Sequence, residues 1–113
     1  MIVILFGTKL RDDADLEDYE ETGRHMDEFV RRMPGFISVK QFVAEDGDAV
    51  TIARFESEEA LDAWRTHPGH LAAQKKGREK FYDSYWVQVC KTLRDYQFSR
   101  DNTQPENGST GGG

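Results

Sequence analysis

Apolar and polar residues recur along the chain with the period of a strand in some stretches and of a helix in others. The N-terminal part of the chain predicts a strand and then a helix. Ile2 to Thr8 carries apolar residues at both even and odd positions, which predicts a strand covered on both faces. Asp13 is a candidate N-cap for the helix that follows. Gly23 lies on the apolar stripe of that helix, where a glycine would allow close approach to the sheet. The other members of the stripe recur at helical spacing: Leu16, Tyr19, Met26, Phe29, Val30 and Met33. Pro34-Gly35 ends the helix.

Two further strands and a last strand region complete the β pattern. Phe36 to Glu45 and Asp48 to Phe55 predict a hairpin, because the Asp46-Gly47 pair between them favours a tight turn. Phe81 to Phe98 is the last strand region and is rich in tyrosine, tryptophan and valine. The chain therefore carries four strand regions.

A second helical region lies between the hairpin and the last strand. Ser57 is a candidate cap at its start, followed by two glutamates in the first turn. Pro68 fits the first position of a continuing or restarted helix, with His67 in the cap position before it. The order of elements is β-α-β-β-α-β. Right-handed crossovers then predict an α+β, ferredoxin-like fold, with an antiparallel four-stranded sheet and both helices on one face.

The predicted strands are apolar on both faces, although the helices cover only one. Val50 and Phe55 point to opposite faces, as do Phe42 and Val39, and parity places Phe36 with Phe42. An uncovered apolar face is too large a patch for a monomer. The last strand region also exceeds the usual ~5–6 residues. We therefore expect a homodimer whose two sheets close into an α/β barrel, with each C-terminal strand reaching its neighbour.

Length and composition limit the number of domains and the kinds of partner that the protein can have. The 113 residues indicate one domain, 1-98, followed by a polar tail, 99-113, that is too poor in apolar residues to become ordered. The net charge is -6, whereas a nucleic-acid-binding domain carries a basic stripe. We expect neither nucleic acid nor membrane as a partner. The single cysteine, Cys90, excludes an intrachain disulfide and fits a cytoplasmic location.

Residue types and spacings give little support to metal or nucleophilic catalysis. His67 and His70 lie three apart, but a catalytic zinc needs about three protein ligands, so no metal site is predicted. Ser57 and Ser84 lie in no motif that activates a nucleophile, and Cys90 fits a strand position. The chain also lacks a glycine-rich phosphate loop after a strand.

A cavity between helices and sheet is the kind of site that the sequence supports. The candidate residues come from the second helical region and from the ends of the first and last strands: Trp64, His67, His70, Gln74, Thr8, Tyr82 and Tyr85. Aromatic walls with a few polar groups suit a flat apolar ligand. Two alternatives stay open. Trp64 is a core residue with His70 hydrogen-bonded at its edge, or a large side chain such as Trp86 or Phe42 fills the cavity.

Several sequence features occur together in one known family. They are PGF from Pro34, the strand end FES before the second helical region, Trp64, the HPGH segment from His67, and the aromatic last strand. With these features, Ile2 to Phe98 resembles the antibiotic biosynthesis monooxygenase domain family. The resemblance implies a dimeric ferredoxin-like barrel.

The resemblance also implies an activity. Some members oxygenate polyketide-like phenols or quinols with dioxygen and without metal or flavin, which implies a small aromatic substrate and no cofactor here. In this hypothesis His70 accepts or orients a proton, Trp64 is a stacking wall, and Gln74 or Thr8 holds the substrate oxygen. His67, Tyr82 and Tyr85 are further candidates for substrate binding: they flank the same predicted cavity.

Two other hypotheses remain. Haem-degrading relatives use an axial histidine where this chain has Gln74, and an asparagine where Gly7-Thr8 stands. A haem cofactor is therefore the second hypothesis, with His70 one turn away as a possible ligand. A dimeric module that binds a small molecule without catalysis is the third.

Overall fold

A computed structural model describes residues 1–100 of the chain. The four strands form one antiparallel sheet in the order β2-β3-β1-β4, with the helices on one face. The elements in chain order are β1 (Ile2–Leu10), α1 (Leu16–Arg31), β2 (Phe36–Val43), β3 (Ala49–Phe55), α2 (Glu58–Arg65), α3 (Pro68–Lys76) and β4 (Tyr82–Lys91). The predicted ferredoxin-like fold is confirmed. Of the predicted disordered tail, residues 101–113 lie outside the described residues.

The first helix begins later than predicted. Its N-cap is Asp15, whose carboxylate accepts a hydrogen bond from the backbone N–H of Asp18 at 3.1 Å. Asp13 was the predicted cap, and that prediction is wrong. The Arg11 guanidinium donates two hydrogen bonds to the Asp13 carboxylate, at 2.9 and 2.8 Å, and this pairing occupies both oxygens.

The second helical region is divided where the sequence predicted a restart. The Ser57 hydroxyl oxygen accepts a hydrogen bond from the Ala60 N–H at 3.1 Å and so caps α2. The chain leaves helical geometry at His67, whose Nδ1 accepts a hydrogen bond from the Gly69 N–H at 3.0 Å. Pro68 then opens α3, because a proline lacks only an N–H that the first helical position does not use.

A π-helical turn, Gly77–Phe81, joins α3 to the last strand. β4 ends at Lys91, so it is shorter than the predicted Phe81 to Phe98. The chain from residue 92 to residue 100 has no regular structure and carries exposed apolar side chains, Leu93 being 90% exposed. The predicted long strand region is therefore a ten-residue strand followed by a segment without regular structure.

The two faces of the sheet carry different side chains. On the helix-covered face, Phe55 packs with Val30 and Trp64 in the buried core. Phe36 also packs on this face, because a register shift between Phe36 and Ser38 turns its side chain toward the helices. The prediction that Phe36 and Phe42 share a face is therefore wrong. On the opposite face Trp86 lies across Gly7, where a Cβ would collide with the indole.

Candidate active site

A cavity of about 580 Å³ lies between the helices and the covered face of the sheet. Its floor comes from the central strands, through Ile4, Phe6, Thr51 and Ala53. α1 and the α2–α3 region form its roof. Neither large side chain considered at the sequence level fills this space. Trp86 and Phe42 do not line the cavity, and they are 49% and 47% exposed. The cavity is therefore open to a ligand.

One wall is a stack of aromatic rings. The His70 imidazole stacks on the buried Trp64 indole, with ring centroids 4.6 Å apart and planes 29° apart. His67 lies against the same indole at 5.7 Å and against Phe29 at 5.4 Å. The restart at Pro68 makes this arrangement possible, because it turns α3 so that His70 lies over the tryptophan of α2. Trp64 and His70 are the members of this stack that line the cavity.

His70 brings an unpaired polar atom to this wall. Its Nδ1 is buried and has no hydrogen-bond partner among the described residues. Burial lowers the pKa of His70, the nearby His67 also lowers it, and backbone groups of Arg65 and Trp64 oppose the shift. The imidazole is therefore neutral at neutral pH. A buried nitrogen without a partner is costly unless a ligand or a water supplies the hydrogen bond.

The wall below α3 is a cluster of tyrosines. The Tyr82 ring lies 5.8 Å from the rings of Phe6 and Tyr85, measured between centroids. Burial raises the pKa of Tyr82 to about 12, with Tyr19 and Tyr85 adding to the shift, so this phenol stays protonated. Tyr19 closes the cluster, and its hydroxyl accepts a hydrogen bond from Gln41 Nε2 at 3.3 Å. The cluster supplies hydroxyl groups on otherwise apolar walls.

The structure brings five of the seven candidate residues to the cavity. Those that line it are Trp64, His70, Gln74, Tyr82 and Tyr85. Thr8 does not line it, because its side chain is buried elsewhere in the sheet. His67 does not line it either, because its Nδ1 caps α3 and its ring packs between Phe29 and Trp64.

Sequence reasoning missed several lining residues, among them Tyr19, Gly23 and Gln41. A signal for them existed. Tyr19 and Gly23 lie on the apolar stripe of α1, and Gln41 shares the parity of Val39 on β2. The expected close approach to the sheet at Gly23 is wrong, because no atom of the described residues beyond the local helix and chain neighbours lies within 4 Å of a Cβ built there.

Metal and cofactor chemistry has few donors here. Within residues 1–100, no group of three His, Cys, Asp or Glu side chains is placed to hold a metal ion. An iron porphyrin would need a protein ligand, and His70 is the histidine that lines the cavity. In the same described range, no helix is long and apolar enough to cross a membrane.

The fold and the cavity define a small α+β protein with aromatic side chains around a space between helices and sheet. The chain belongs to the antibiotic biosynthesis monooxygenase family, whose sequence model matches residues 1–76. It is also 36% identical over 101 residues to the uncharacterized protein YqjZ of Bacillus subtilis (strain 168), covering 89% of this chain and 85% of that protein.

Solved structures share the fold at lower identity. Rv0793 from Mycobacterium tuberculosis superposes with a TM-score of 0.75 at 23% identity, covering 85% of this chain and 98% of that one. SnoaB, a cofactor-independent oxygenase from Streptomyces nogalater, superposes with a TM-score of 0.70 at 16% identity, covering 83% and 94%. At these identities the likeness establishes the fold.

Proposed function

We propose that the protein is a monooxygenase that oxidises a flat phenol or quinol with dioxygen and without a cofactor. The observation that carries this proposal is the His70 imidazole, which lines the cavity and is stacked on the Trp64 indole. Membership of the monooxygenase family supports the reaction class. The fold shared with a cofactor-independent oxygenase supports the absence of a cofactor.

The chemistry requires the protein to bind, deprotonate and shield its substrate. A phenolate is electron-rich enough to give one electron to dioxygen, and the resulting radical pair combines at the ring. A ring C–H para to the hydroxyl becomes C=O, one oxygen atom enters the product as the quinone oxygen, and the other leaves as water. The apolar cavity keeps the radical pair from bulk water.

Each wall has a role in this scheme. The imidazole of neutral His70 accepts the phenol proton, and Trp64 beside it packs against the ring. Tyr82 stays protonated, so its hydroxyl donates a hydrogen bond to the oxygen on which charge develops. Gln74 offers an amide on the same lining.

The reaction is tested by oxygen uptake with 1-naphthol, in buffer treated with a metal chelator. We expect turnover to 1,4-naphthoquinone, with one atom of ¹⁸O from labelled dioxygen in the product. His70→Phe keeps a ring that stacks on Trp64 but removes Nδ1, so turnover should fall about a hundredfold. His25→Phe changes an exposed histidine of α1 and is the matched control. Equal turnover in the two variants would exclude His70 as the base.

The other two functions have distinct outcomes. The free imidazole nitrogen of His70 favours haem binding as the second candidate. A stoichiometric Soret shift with hemin, lost in His70→Phe, followed by loss of the haem spectrum after reduction in air, would replace the quinol proposal. Saturable binding of 1-naphthol without oxygen uptake would indicate a binding module.

We also propose that the protein is a homodimer in the cytoplasm. The uncovered face of the sheet carries Leu5, Val50, Ile52, Phe42 and Trp86, and the segment from residue 92 exposes further apolar side chains. Two copies that pair these faces would cover both patches. Sedimentation velocity at micromolar concentration should show a dimer, and Trp86→Glu should shift it toward monomer. A monomeric wild-type protein would contradict the proposed α/β barrel formed by two paired sheets.

A further inference from the structure

Gly23 is a glycine in the middle of α1 that packing does not explain. Interior glycine weakens a helix relative to alanine, so such a position needs a reason. Left-handed backbone is not the reason, because the positive-φ glycines among residues 1–100 are Gly35 and Gly47. Close packing is not the reason either. Among the described residues, no atom beyond the local helix and chain neighbours lies within 4 Å of the position that a Cβ would take.

The position of Gly23 on the helix gives a different reason. Tyr19, Gly23, Met26 and Val30 follow one another at spacings of three and four, and all of them line the cavity. Tyr19 is tied to the sheet by the hydrogen bond from Gln41, and Val30 packs in the core with Phe55. Gly23 lies between these two anchored positions. It is the one member of the stripe without a side chain, so the roof is bare there.

The floor opposite this gap is also made of small side chains. β2 and β3 pair Gln41 with Thr51 and Val39 with Ala53, and all four residues line the cavity. Thr51 and Ala53 therefore face the stretch of α1 between its two anchors. Small residues on the floor and glycine in the roof together make the space. A larger side chain in the roof or in the floor would therefore reduce this space.

The gap also lies at an opening of the cavity. Gly23 is exposed although it belongs to the inward stripe, and its neighbours on the lining toward the outer strand are Glu20, Asp27 and Gln41. These polar residues mark a mouth between α1 and β2. From Val30 to Gly23 the helix rises about 10 Å, which is longer than a two-ring aromatic molecule. A ligand stacked on Trp64 that has more than two rings therefore extends to Gly23.

We propose that Gly23 determines the size of the ligand, by leaving room at the mouth for the far end of an aromatic system of more than two fused rings. This inference rests on the proposed function, because it takes the cavity to be the binding site. Gly23 contributes space and no chemistry. A side chain at this position would shorten the cavity without touching the Trp64–His70 wall.

The test compares two phenols of different size. 2-Naphthol and 1-hydroxypyrene are titrated into the protein without turnover, under nitrogen, and their binding is followed by fluorescence. Gly23→Leu should weaken 1-hydroxypyrene at least tenfold and change 2-naphthol less than twofold. Arg24→Leu adds the same side chain at the next, exposed position of α1 and should leave both affinities unchanged.

Gly23→Ala separates the proposal from a packing role. Alanine improves helix propensity and meets no neighbour, so the thermal midpoint should rise by about 4 °C. A lower midpoint would show that α1 needs glycine for packing and would overturn the proposal. Unchanged affinity of Gly23→Leu for 1-hydroxypyrene, or an equal loss for both phenols, would also overturn it.

The outcomes also distinguish this inference from the proposed reaction. If wild-type protein binds neither phenol, both proposals fail. If the phenols bind with the expected size dependence but oxygen uptake is absent, the reaction fails and the role of Gly23 stands. If 1-naphthol is turned over through His70 but Gly23→Leu binds 1-hydroxypyrene normally, only the role of Gly23 fails.

Discussion

The space between helices and sheet is solid at one end and hollow at the other. At the solid end, Phe55 is fully buried, and it meets Phe36 edge-to-face with ring centroids 5.9 Å apart. At the hollow end the same face of β3 carries Ala53 and Thr51, and α1 carries Gly23 above them. The backbone layers continue through both ends. Side-chain size alone therefore divides one layer into a part that holds the fold together and a part that leaves a cavity.

Truncation at the solid end should have the largest effect. Phe55→Ala removes a fully buried ring whose neighbours come from helices and sheet, and it should lower the free energy of unfolding by about 3–5 kcal/mol. Denaturant unfolding followed by circular dichroism measures the change. A loss below about 1 kcal/mol would mean that the core lies elsewhere.

Gly77, at the start of the π-helical turn, provides a contrast to Gly23. A Cβ on Gly77 would collide with the edge of the Tyr82 ring, so Gly77→Ala must displace either the ring or the π-helical turn. We expect a loss of about 1–3 kcal/mol in the free energy of unfolding. Denaturant unfolding measures it, with Gly23→Ala as the control. Equal effects of the two substitutions would contradict the difference between packed and open glycines.

Protonation of His70 should have a smaller effect, with a defined sign. Burial holds the pKa of folded His70 below the unfolded value of about 6.5. As pH falls below about 6.5, the unfolded chain takes up the proton first, so stability declines down to the folded pKa. Denaturation midpoints should therefore fall more steeply with acid for wild type than for His70→Phe. Parallel curves for these two would contradict the burial of His70, and His25→Phe should follow the wild type.

The smallest effect is expected where the floor of the hollow end is filled. Thr51→Ile adds apolar bulk that projects into the cavity, and it should change the free energy of unfolding by less than about 1 kcal/mol. The same substitution should weaken binding of 1-hydroxypyrene, which fluorescence titration measures. A large destabilisation would show that the space around Thr51 is already packed.

The sequence predicted the fold well because its signals were local and repeated. Strand parity, the Asp46-Gly47 turn and the restart at Pro68 each depend on a few neighbouring residues. The errors arose where a distant or competing partner decided the outcome. Asp13 binds Arg11 and therefore does not cap the helix. The register shift in the pairing of β2 with β3 turns the Phe36 side chain toward the helices.

The candidate site was predicted less completely than the fold. Aromatic and imidazole side chains are conspicuous in a sequence, and Trp64, His70 and Tyr82 were predicted as site residues and line the cavity. A cavity, however, depends on side chains that fail to meet across the layer. Gly23 and Thr51 reveal their contribution only when helix and sheet are placed together. The same stripe pattern on α1 fits a solid core and a hollow one equally well.

The two tryptophans lie on opposite sides of the sheet, and this gives the protein two built-in fluorophores. Trp64 is buried and stacked on His70, so its emission should respond to a bound aromatic molecule and to the charge of the imidazole. Trp86 is half exposed on the other face, so its emission should respond to whatever covers that face. Trp86→Phe and Trp64→Phe leave one emitter each, so these two unlabelled proteins report occupancy and assembly as separate optical signals.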